Sequence, residues 1–353
     1  MRPAQTAHWS FIVAARQIWQ RLLFIAAVGL CLQACAGVEP VTIDSGWKRY
    51  VHDFVEDGRV RDTGNGNISH SEGQGWGMLL AEANGDRRTF DRLWAWTQSN
   101  LLRTDIALFS WRYDPARTPH VQDPNNATDG DVLIAWALLR AAERWSEPEY
   151  ENASRKIRDA IRERLVIAYQ GRMVLLPGLV GFEREEGVIF NPSYLVAPAL
   201  LAFSQREPSA GWERVLDDGL WIIEHARFGR YGLPTDWIVL KADGTFAAAE
   251  GWPPRFGFDA VRVPLYLHWA GLSPLGPVFQ PFKALWSCCG QVPAWVDVQS
   301  GELSPYPAST GVKAIASLLS PGAATPAPQA AEDYYSMSLL LLSRLAAAEQ
   351  SRR

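Results

Sequence analysis

The chain has 353 residues, of which 48% are hydrophobic and 20% are charged, with a net charge of −4 at pH 7. This composition indicates a globular protein with a sizeable core, long enough for one large domain or two ordinary ones. The negative charge argues against nucleic acid and against an anionic membrane surface as partners.

The first 36 residues have the features of a secretory signal peptide. Residues 2–21 are basic and free of acids, residues 22–32 are apolar, and Ala34-Cys35-Ala36 matches a small-residue cleavage site. The apolar run is shorter than the roughly 20 residues that span a bilayer. We expect cleavage near Ala36 and a periplasmic or secreted protein formed by residues 37–353. A lipid anchor on Cys35 is the alternative, because residues 32–35 also resemble a lipoprotein box.

The cysteines and histidines indicate neither a metal nor a disulfide framework. Loss of the leader leaves Cys288 and Cys289, which are adjacent in sequence. Adjacent cysteines rarely pair because the geometry strains the peptide between them, so we expect two small core residues. The six histidines lack metal-ligand spacing, and no Ser-His-Asp arrangement stands out. The sequence predicts no metal and no cofactor.

Helical periodicity dominates the chain from Gly46 onward, and strand patterns are few. We predict strands at 173–176 and in a hairpin of 237–240 and 246–248, joined by an Asp-Gly turn. A mainly α, single-domain fold of roughly ten or eleven helices follows. The predicted helices are 47–55, one that starts near Ser71, 86–102, 131–145, 149–169, 193–204, 211–226, 259–269, 278–285, 310–319 and 331–347.

The stretch from Ser71 to Met78 opens a helix and carries one carboxyl group, that of Glu72. Ser71 is the candidate N-cap. Three glycines within five residues cost about 1 kcal/mol each relative to alanine, which is tolerated where another backbone or a ligand comes close. Burial against Trp76 raises the pKa of Glu72, whereas the helix N-terminus lowers it. Glu72 is therefore either a protonated general acid or an ordinary first-turn acid on the surface.

Asp259 is the candidate partner of Glu72. It opens a predicted helix, and Arg262 lies one turn further on, so both features favour the charged carboxylate. Phe256 and Phe258 are expected to shield it from bulk water. A raised pKa on one carboxyl group and a lowered pKa on the other are typical of an acid and base pair. The alternative is a helix-capping aspartate that bonds its own arginine.

Three further stretches place polar or aromatic residues at helix starts or in loops. Residues 126–131 read Asn-Ala-Thr-Asp-Gly-Asp and lead into a helix. Asp129 and Asp131 could both be capping acids. Asn191-Pro192-Ser193-Tyr194 opens another helix, and Trp111-Arg112-Tyr113 lies in a loop.

The stretches 71–78, 126–139, 191–194 and 255–264, in this order, resemble glycoside hydrolase family 8. The particular likeness is to bacterial endoglucanases encoded beside cellulose synthase. The resemblance implies an (α/α)6 barrel and an inverting endo-β-1,4-glucanase, with Glu72 as acid and Asp259 as base acting through water. Inversion implies carboxyl groups about 6.5–9.5 Å apart, against about 5–5.5 Å for retention.

The resemblance also implies roles for the other candidates. Asp129, rather than Asp131, holds sugar hydroxyls at the scission subsite, and Tyr194 lies beside the attacking water. A chain with 16 Trp and 10 Tyr residues suits a groove for sugar rings, because apolar ring faces stack on aromatic faces. The predicted substrate-binding residues are Asp129, Trp111, Tyr113, Tyr194, Arg262 and Trp76.

The predicted partner is a β-glucan chain such as cellulose, with the cellulose synthesis machinery as a further partner and a monomer as the expected state. Two alternatives follow from the same residues. The first is a xylanase or chitosanase with the same fold, since the family includes both specificities. The second is a secreted glucan-binding protein that has lost the chemistry, against which the intact carboxyl pair argues.

Overall fold

Eleven α-helices and fourteen short strands form the part of the chain that this computed structural model describes, residues 44–288, 290–320 and 322–352. The predicted signal peptide, residues 1–36, lies outside the described residues. The helices are α1 (Asp44–Phe54), α2 (Ser71–Ala83), α3 (Arg87–Asn100), α4 (Thr128–Trp145), α5 (Pro148–Arg164), α6 (Ala197–Arg206), α7 (Trp212–His225), α8 (Val263–Trp269), α9 (Gln280–Ser287), α10 (Thr310–Leu318) and α11 (Tyr334–Gln350).

The helices form an inner ring and an outer layer. Helices α2, α4, α6, α8 and α11 contact one another in a closed ring, and most of their side chains are buried. The outer helices are amphipathic and bury one face: α1 packs on α11, α3 on α2, α5 on α4 and α7 on α6. Helix α10 lies against both α8 and α11. This arrangement leaves the loops at the ends of the ring helices free to carry functional side chains.

The glycines of α2 are explained by close packing. A Cβ atom on Gly75 would lie 2.5 Å from the Leu133 Cβ of α4. Gly73 faces the Tyr334 hydroxyl in the same way, and Gly77 faces Val60. On α4, a Cβ on Gly130 would lie 2.1 Å from the Oγ of Ser71. Helices α2 and α4 therefore cross with their backbones in close approach, as the glycine pattern predicts.

Substitution of Gly75 by alanine is expected to destabilise the protein by about 1–3 kcal/mol, because the new methyl group overpacks the α2–α4 crossing. Its Cβ would also lie 3.2 Å from the Ile134 backbone nitrogen, which cannot move aside as a side chain can. Urea unfolding followed by circular dichroism measures the change. Gly64→Ala is the matched control, since its nearest neighbour would lie 3.5 Å away. Equal stability of the two variants would contradict this account.

The strands are short and form antiparallel pairs at the helix ends. They are β1 (Val55–Glu56), β2 (Arg59–Val60), β3 (Ser69–His70), β4 (Leu102–Arg103), β5 (Leu108–Phe109), β6 (Arg112–Tyr113), β7 (Val166–Tyr169), β8 (Arg172–Leu175), β9 (Glu183–Arg184), β10 (Gly187–Phe190), β11 (Ile238–Lys241), β12 (Phe246–Ala248), β13 (Arg255–Phe256) and β14 (Val296–Asp297). The pairing of β3 with β6 and of β13 with β14 fixes the two segments that precede Glu72 and Asp259.

The predicted hairpin is present as β11 and β12, in which Ile238 pairs with Ala248. It belongs to a larger four-stranded sheet in the order β12-β11-β10-β9, which the sequence analysis missed. The helix predicted over 149–169 ends at Arg164, and its last residues form strand β7 instead. Strand β7 pairs with β8 over four residues, so tertiary pairing has overridden the helical pattern there.

Two further observations concern cysteine and the membrane. Cys288 is exposed and disulfide-bonded, so the expectation of a reduced core residue was wrong. Cys289 lies outside the described residues. Among the described residues, none of the helices combines the length and the apolar composition needed to cross a bilayer.

Candidate active site

Three carboxyl groups meet around one guanidinium group. Arg262 Nη2 lies 2.9 Å from Glu72 Oε1, 2.9 Å from Asp259 Oδ1 and 3.6 Å from Asp129 Oδ2. The contact with Asp259 is also a hydrogen bond, whereas Glu72 Oε1 lies close to the guanidinium group without hydrogen-bond geometry. The structure therefore brings together the two predicted catalytic residues and two of the predicted substrate-binding residues.

The helix crossing places two of these carboxyl groups. Glu72 is the second residue of α2 and Asp129 the second residue of α4, so the close approach of the two helices sets their side chains next to each other. The prediction that Ser71 is the N-cap of α2 is wrong, because His70, the last residue of strand β3, holds that position. The Ser71 N–H is bound by the Trp111 carbonyl oxygen at 3.0 Å instead.

A short turn places the third carboxyl group. Asp259 directly precedes a 3₁₀ turn, Ala260–Arg262, which continues into α8. The turn returns the Arg262 side chain to Asp259, as the i,i+3 spacing predicts. The side chain of Asp259 is 27% exposed, so solvent reaches it.

Arg262 is almost completely buried, with 3% of its surface exposed. Its Nη2 donates to Ser193 Oγ at 2.9 Å, and its Nη1 donates to the Phe258 carbonyl oxygen at 3.0 Å. Little of the side chain is left to contact a sugar. Its position is that of a counter-ion that holds the carboxyl groups in place, rather than the predicted substrate contact.

Burial raises the pKa of Glu72 well above its ordinary value. The positive charge of Arg262 opposes this rise, and the carboxyl groups of Asp129 and Asp259 add to it. A side-chain hydrogen bond joins Glu72 to Asp129, with the protonated Glu72 as donor. Burial also raises the pKa of Asp129, to about 6. Of the two opposed influences named for Glu72, desolvation prevails, and the group keeps a proton near neutral pH.

Asp131 has a structural position. It is fully buried, its Oδ1 accepts the Phe109 backbone N–H at 2.9 Å, and its Oδ2 accepts the Asn126 side-chain amide at 2.7 Å. Both oxygens are thus used to hold the loops that precede α4. Asp129, by contrast, lies against Glu72 and Arg262, so the structure separates the two aspartates in the way the resemblance implies.

The nearest oxygens of the acid and base candidates share one partner. Glu72 Oε1 and Asp259 Oδ1 both lie 2.9 Å from the same nitrogen, so these two oxygens are separated by no more than twice that distance. The separation of about 6.5–9.5 Å that is typical of inverting enzymes is measured between whole carboxyl groups, so the bound on these two oxygens is compatible with it.

Trp76 has no exposed surface, so its predicted contact with substrate is wrong. Its indole N–H donates to the Tyr266 hydroxyl at 3.2 Å, and its ring lies 5.7 Å from the Arg262 guanidinium carbon. Trp76 packs against Tyr335 as well. The Trp76 ring forms an apolar surface beneath the Arg262 guanidinium group and excludes water from that side of the charged cluster.

Tyr194 lies near the cluster. It ends a 3₁₀ turn, Pro192–Tyr194, and packs edge-on against Trp237. Burial raises the pKa of its hydroxyl, and the negative charges of Asp129, Asp259 and Glu72 add to the effect.

Trp111 is half-buried and stacks on His70. With Arg112, Asp114 and Arg117 it lines a cavity of about 200 Å³. Its indole N–H is bound to Asp123 at 2.9 Å. An aromatic face beside a polar cavity suits a sugar ring.

Phe258 departs from its predicted surroundings. It is 56% exposed, so it does not shield Asp259 from water as expected, whereas Phe256 is buried in the core. The half-buried Tyr113 ring packs edge-on against Trp96, with ring centroids 5.0 Å apart, and tilts over His120.

Sequence reasoning missed two residues of the site and gave a third little weight. Ser193 accepts a hydrogen bond from Arg262, and Asp236 binds the backbone of the segment that carries Asp259. The sequence favours a role for Tyr335 in the aromatic core over a place in the cleft, but its hydroxyl donates to the Phe258 carbonyl oxygen. Ser193 lies inside a stretch that had been singled out, but Asp236 and Tyr335 stand in segments without a motif.

The buried acids predict a fall in stability as pH rises from about 6.5 to about 8. Burial raises the pKa of Asp131 and of Asp236 to about 7, and raises that of Glu72 as well. The folded chain therefore binds more protons than the unfolded chain in this range, and its stability declines with pH. Below pH 6.5, His70 acts in the opposite direction, since burial lowers its pKa to about 4.

Thermal melts at constant ionic strength across this range measure the effect. A melting temperature that stays constant or rises between about pH 6.5 and 8 would contradict the assignment of buried, protonated carboxyl groups.

The described part of the chain holds no group of three or more His, Cys, Asp or Glu side chains arranged to bind a metal ion.

Comparison with known proteins identifies a family for the chain. The sequence model of Glycosyl hydrolases family 8 matches residues 16–349. A probable endoglucanase of Novacetimonas hansenii is 43% identical over 300 residues, 83% of this chain and 87% of that protein.

Two solved structures share the fold along most of their length. An endoglucanase of glycosyl hydrolase family 8 from Klebsiella pneumoniae is 43% identical with a TM-score of 0.84, covering 88% of this chain and 100% of its own. An endo-β-1,4-glucanase from Acetobacter xylinum is 40% identical with a TM-score of 0.84, covering 88% of this chain and 99% of its own. These matches confirm the predicted mainly α fold, an (α/α)6 barrel, and the chain belongs to glycosyl hydrolase family 8.

Proposed function

We propose that the protein is an endo-β-1,4-glucanase that hydrolyses internal bonds of cellulose or a related β-glucan. The observation that carries the proposal is the pairing, through Arg262, of Glu72, whose pKa is raised well above its ordinary value, with Asp259, whose side chain is the more exposed of the two, at 27% against 17%. Glycosidic hydrolysis needs one carboxyl group that gives a proton and another that acts on water. The endoglucanase names of the relatives at 40–43% identity support the same activity.

In the proposed mechanism, Glu72 gives its proton to the glycosidic oxygen as the bond from that oxygen to the anomeric carbon breaks. Asp259 takes a proton from a water molecule, whose oxygen bonds to the anomeric carbon from the opposite face. The products are two shorter glucan chains, and Glu72 is left ionised and Asp259 protonated. Asp259 then releases its proton to solvent and Glu72 takes one up, which restores both groups. The configuration at the anomeric carbon is inverted.

Arg262 prepares both groups for these steps. Its charge stabilises Glu72 after the proton has left, and its hydrogen bond orients Asp259. We infer that Asp259 is the group that draws back to admit water, since it is the more exposed of the two and lies on a turn rather than on a ring helix. Asp129, which already accepts from Glu72, is in place to hold a sugar hydroxyl near the acid.

Parallel digestion of carboxymethylcellulose, xylan and chitosan tests the substrate. We expect a rapid fall in carboxymethylcellulose viscosity with few new reducing ends, which marks internal cleavage. Strong activity on xylan or chitosan alone would end the glucanase proposal. Binding of cello-oligosaccharides without cleavage of any polymer would favour the glucan-binding alternative.

The cellular role is a further part of the proposal. We infer export through the leader of residues 1–36 to the periplasm or the medium, with lipidation at Cys35 as the alternative, and action as a monomer on glucan made by a cellulose synthesis machinery. Mass spectrometry of the mature N-terminus distinguishes cleavage near Ala36 from a lipidated Cys35. Cellulose yield and chain length in a strain that lacks the protein test the link to synthesis.

A further inference from the structure

Asp236 has hydrogen bonds that no motif explains. It lies between the buried Thr235 and strand β11, far in sequence from the Asp259 segment. Its Oδ1 accepts three backbone N–H groups of that segment: Gly257 at 2.9 Å, Asp259 at 3.2 Å and Ala260 at 2.7 Å. One carboxylate oxygen therefore holds the backbone on both sides of the proposed base, including the base's own N–H.

The segment is shaped to receive this carboxylate. A Cβ atom on Gly257 would lie 2.7 Å from Asp236 Oδ2, so only glycine leaves room for the side chain. The backbone N–H of Asp236 in turn donates to the Arg255 carbonyl oxygen at 2.7 Å. Asp236 thus binds residues 255, 257, 259 and 260, which is the whole turn between strand β13 and the 3₁₀ helix.

The local fold does not need a carboxylate here for its own cohesion. Strand β13 is already paired with β14, and the 3₁₀ turn is closed by the Arg262 N–H to the Asp259 carbonyl oxygen at 3.0 Å. The Asp236 loop has its own support, because the Thr235 hydroxyl donates to the Trp237 carbonyl oxygen at 2.8 Å. An acid beside Asp259 is instead a cost, because desolvation and the nearby charge of Asp259 both disfavour the ionised form of Asp236 and raise its pKa to about 7. We attribute the presence of Asp236 to a need to hold the turn that carries Asp259 in one fixed geometry.

We propose that Asp236 is a positioning residue for Asp259, which fixes the base-bearing turn so that the Asp259 carboxylate is aimed between Arg262 and the attacking water. The inference rests on the proposed function, in that it assumes Asp259 to be the base. Asp236 acts through the backbone and has no contact with the reacting atoms.

This role differs from that of Arg262, which binds the Asp259 carboxylate itself. Arg262 holds the position of the Asp259 carboxylate, and Asp236 holds the position of the backbone that carries this side chain. When Asp259 draws back from Arg262 to admit water, the three N–H bonds keep the main chain in place. A displacement of about 1 Å at a reacting group can cost about 10²-fold in rate.

The test is a double-mutant cycle between Asp236 and Asp259, with cellopentaose as substrate and product formation followed by chromatography. Asp236→Ala is expected to lower kcat by about 10²-fold with KM changed by less than about threefold. In the Asp259→Ala background the same substitution is expected to cost less than about threefold, because the group that it positions is gone. Equal losses in both backgrounds would overturn the proposal, since a general effect on the fold would act in each.

A conservative variant keeps the test decisive if Asp236→Ala does not fold. Asp236→Asn retains an Oδ1 acceptor for the three N–H groups, and its kcat is expected to stay within about tenfold of the parent. A loss as large as that of Asp259→Asn would show that Asp236 takes part through its charge and would overturn the positioning role.

Asp243→Asn is the matched control, because Asp243 also accepts a backbone N–H in a turn, that of Thr245 at 2.9 Å, but lies exposed in the β11–β12 hairpin. The proposed function is judged separately, by whether the parent protein cleaves cellopentaose at all.

Discussion

Replacement of Glu72 by glutamine is expected to lower kcat on carboxymethylcellulose by about 10³-fold, with KM changed by less than about threefold. Glutamine keeps the shape of the protonated acid but has no proton to give to the leaving oxygen. Because the pKa of Glu72 is raised beside Asp129 and Arg262, which favours its neutral form, the neutral amide should be accepted without loss of the fold. Steady-state kinetics and a thermal melt of the same preparation measure both effects.

Glu213→Gln is the matched control for this variant. Glu213 also lies in the first turn of a helix, α7, but it is exposed. It represents the alternative that a first-turn glutamate is an ordinary surface acid. The variant should retain full activity, whereas Glu72→Gln should still bind cellotetraose in a calorimeter without cleaving it. Activity of Glu72→Gln near that of the parent would remove Glu72 from the mechanism.

Replacement of Asp259 by asparagine is expected to lower kcat by about 10³-fold, because the amide cannot take a proton from the attacking water. Asparagine can still accept the hydrogen bond from Arg262 and fits the same turn, so the loss should fall on kcat rather than on stability. Asp105→Asn, on a side chain that is 69% exposed, is the control.

The stereochemistry of the parent reaction completes this test. Proton NMR of the first products should show the α-anomer from a β-linked glucan, which identifies a water-mediated inversion. The close spacing of Glu72 and Asp259 around Arg262 makes this measurement informative. Release of the β-anomer would make Asp259 a nucleophile and would contradict its assignment as a base.

Much of the fold follows from local patterns. The ring helices α2 and α4 are read from apolar runs with glycines at the crossing, and the outer helices from their amphipathic periodicity. Where local pattern and tertiary pairing disagree, the pattern fails. Residues 166–169 continue a helical sequence but pair with strand β8, and strand β9, with two residues, is too short to be recognised alone.

Some residues of the site are also predicted by local sequence patterns, and others are not. Glu72, Asp129 and Asp259 stand in dense polar stretches at helix starts, so sequence alone points to them. Asp236 and Tyr335 reach the site through a loop and a hydrogen bond to a backbone oxygen, which leave no trace in residue spacing.

Trp76 shows the opposite error. Helical spacing correctly placed its ring on the same face as Glu72, but spacing cannot tell whether that face looks into a cleft or into the core. In the fold it looks into the core, beneath Arg262.

The contact of Gly130 with Ser71 has a consequence for how this enzyme can change. It makes the placement of the acid a property of the barrel's own architecture, whereas Asp259 and Tyr194 lie at short 3₁₀ turns that precede the ring helices α8 and α6. Mutation during evolution or in the laboratory can therefore reshape the water-activating side and its preference among polymers. The proton-donating side can be altered only by rebuilding the scaffold.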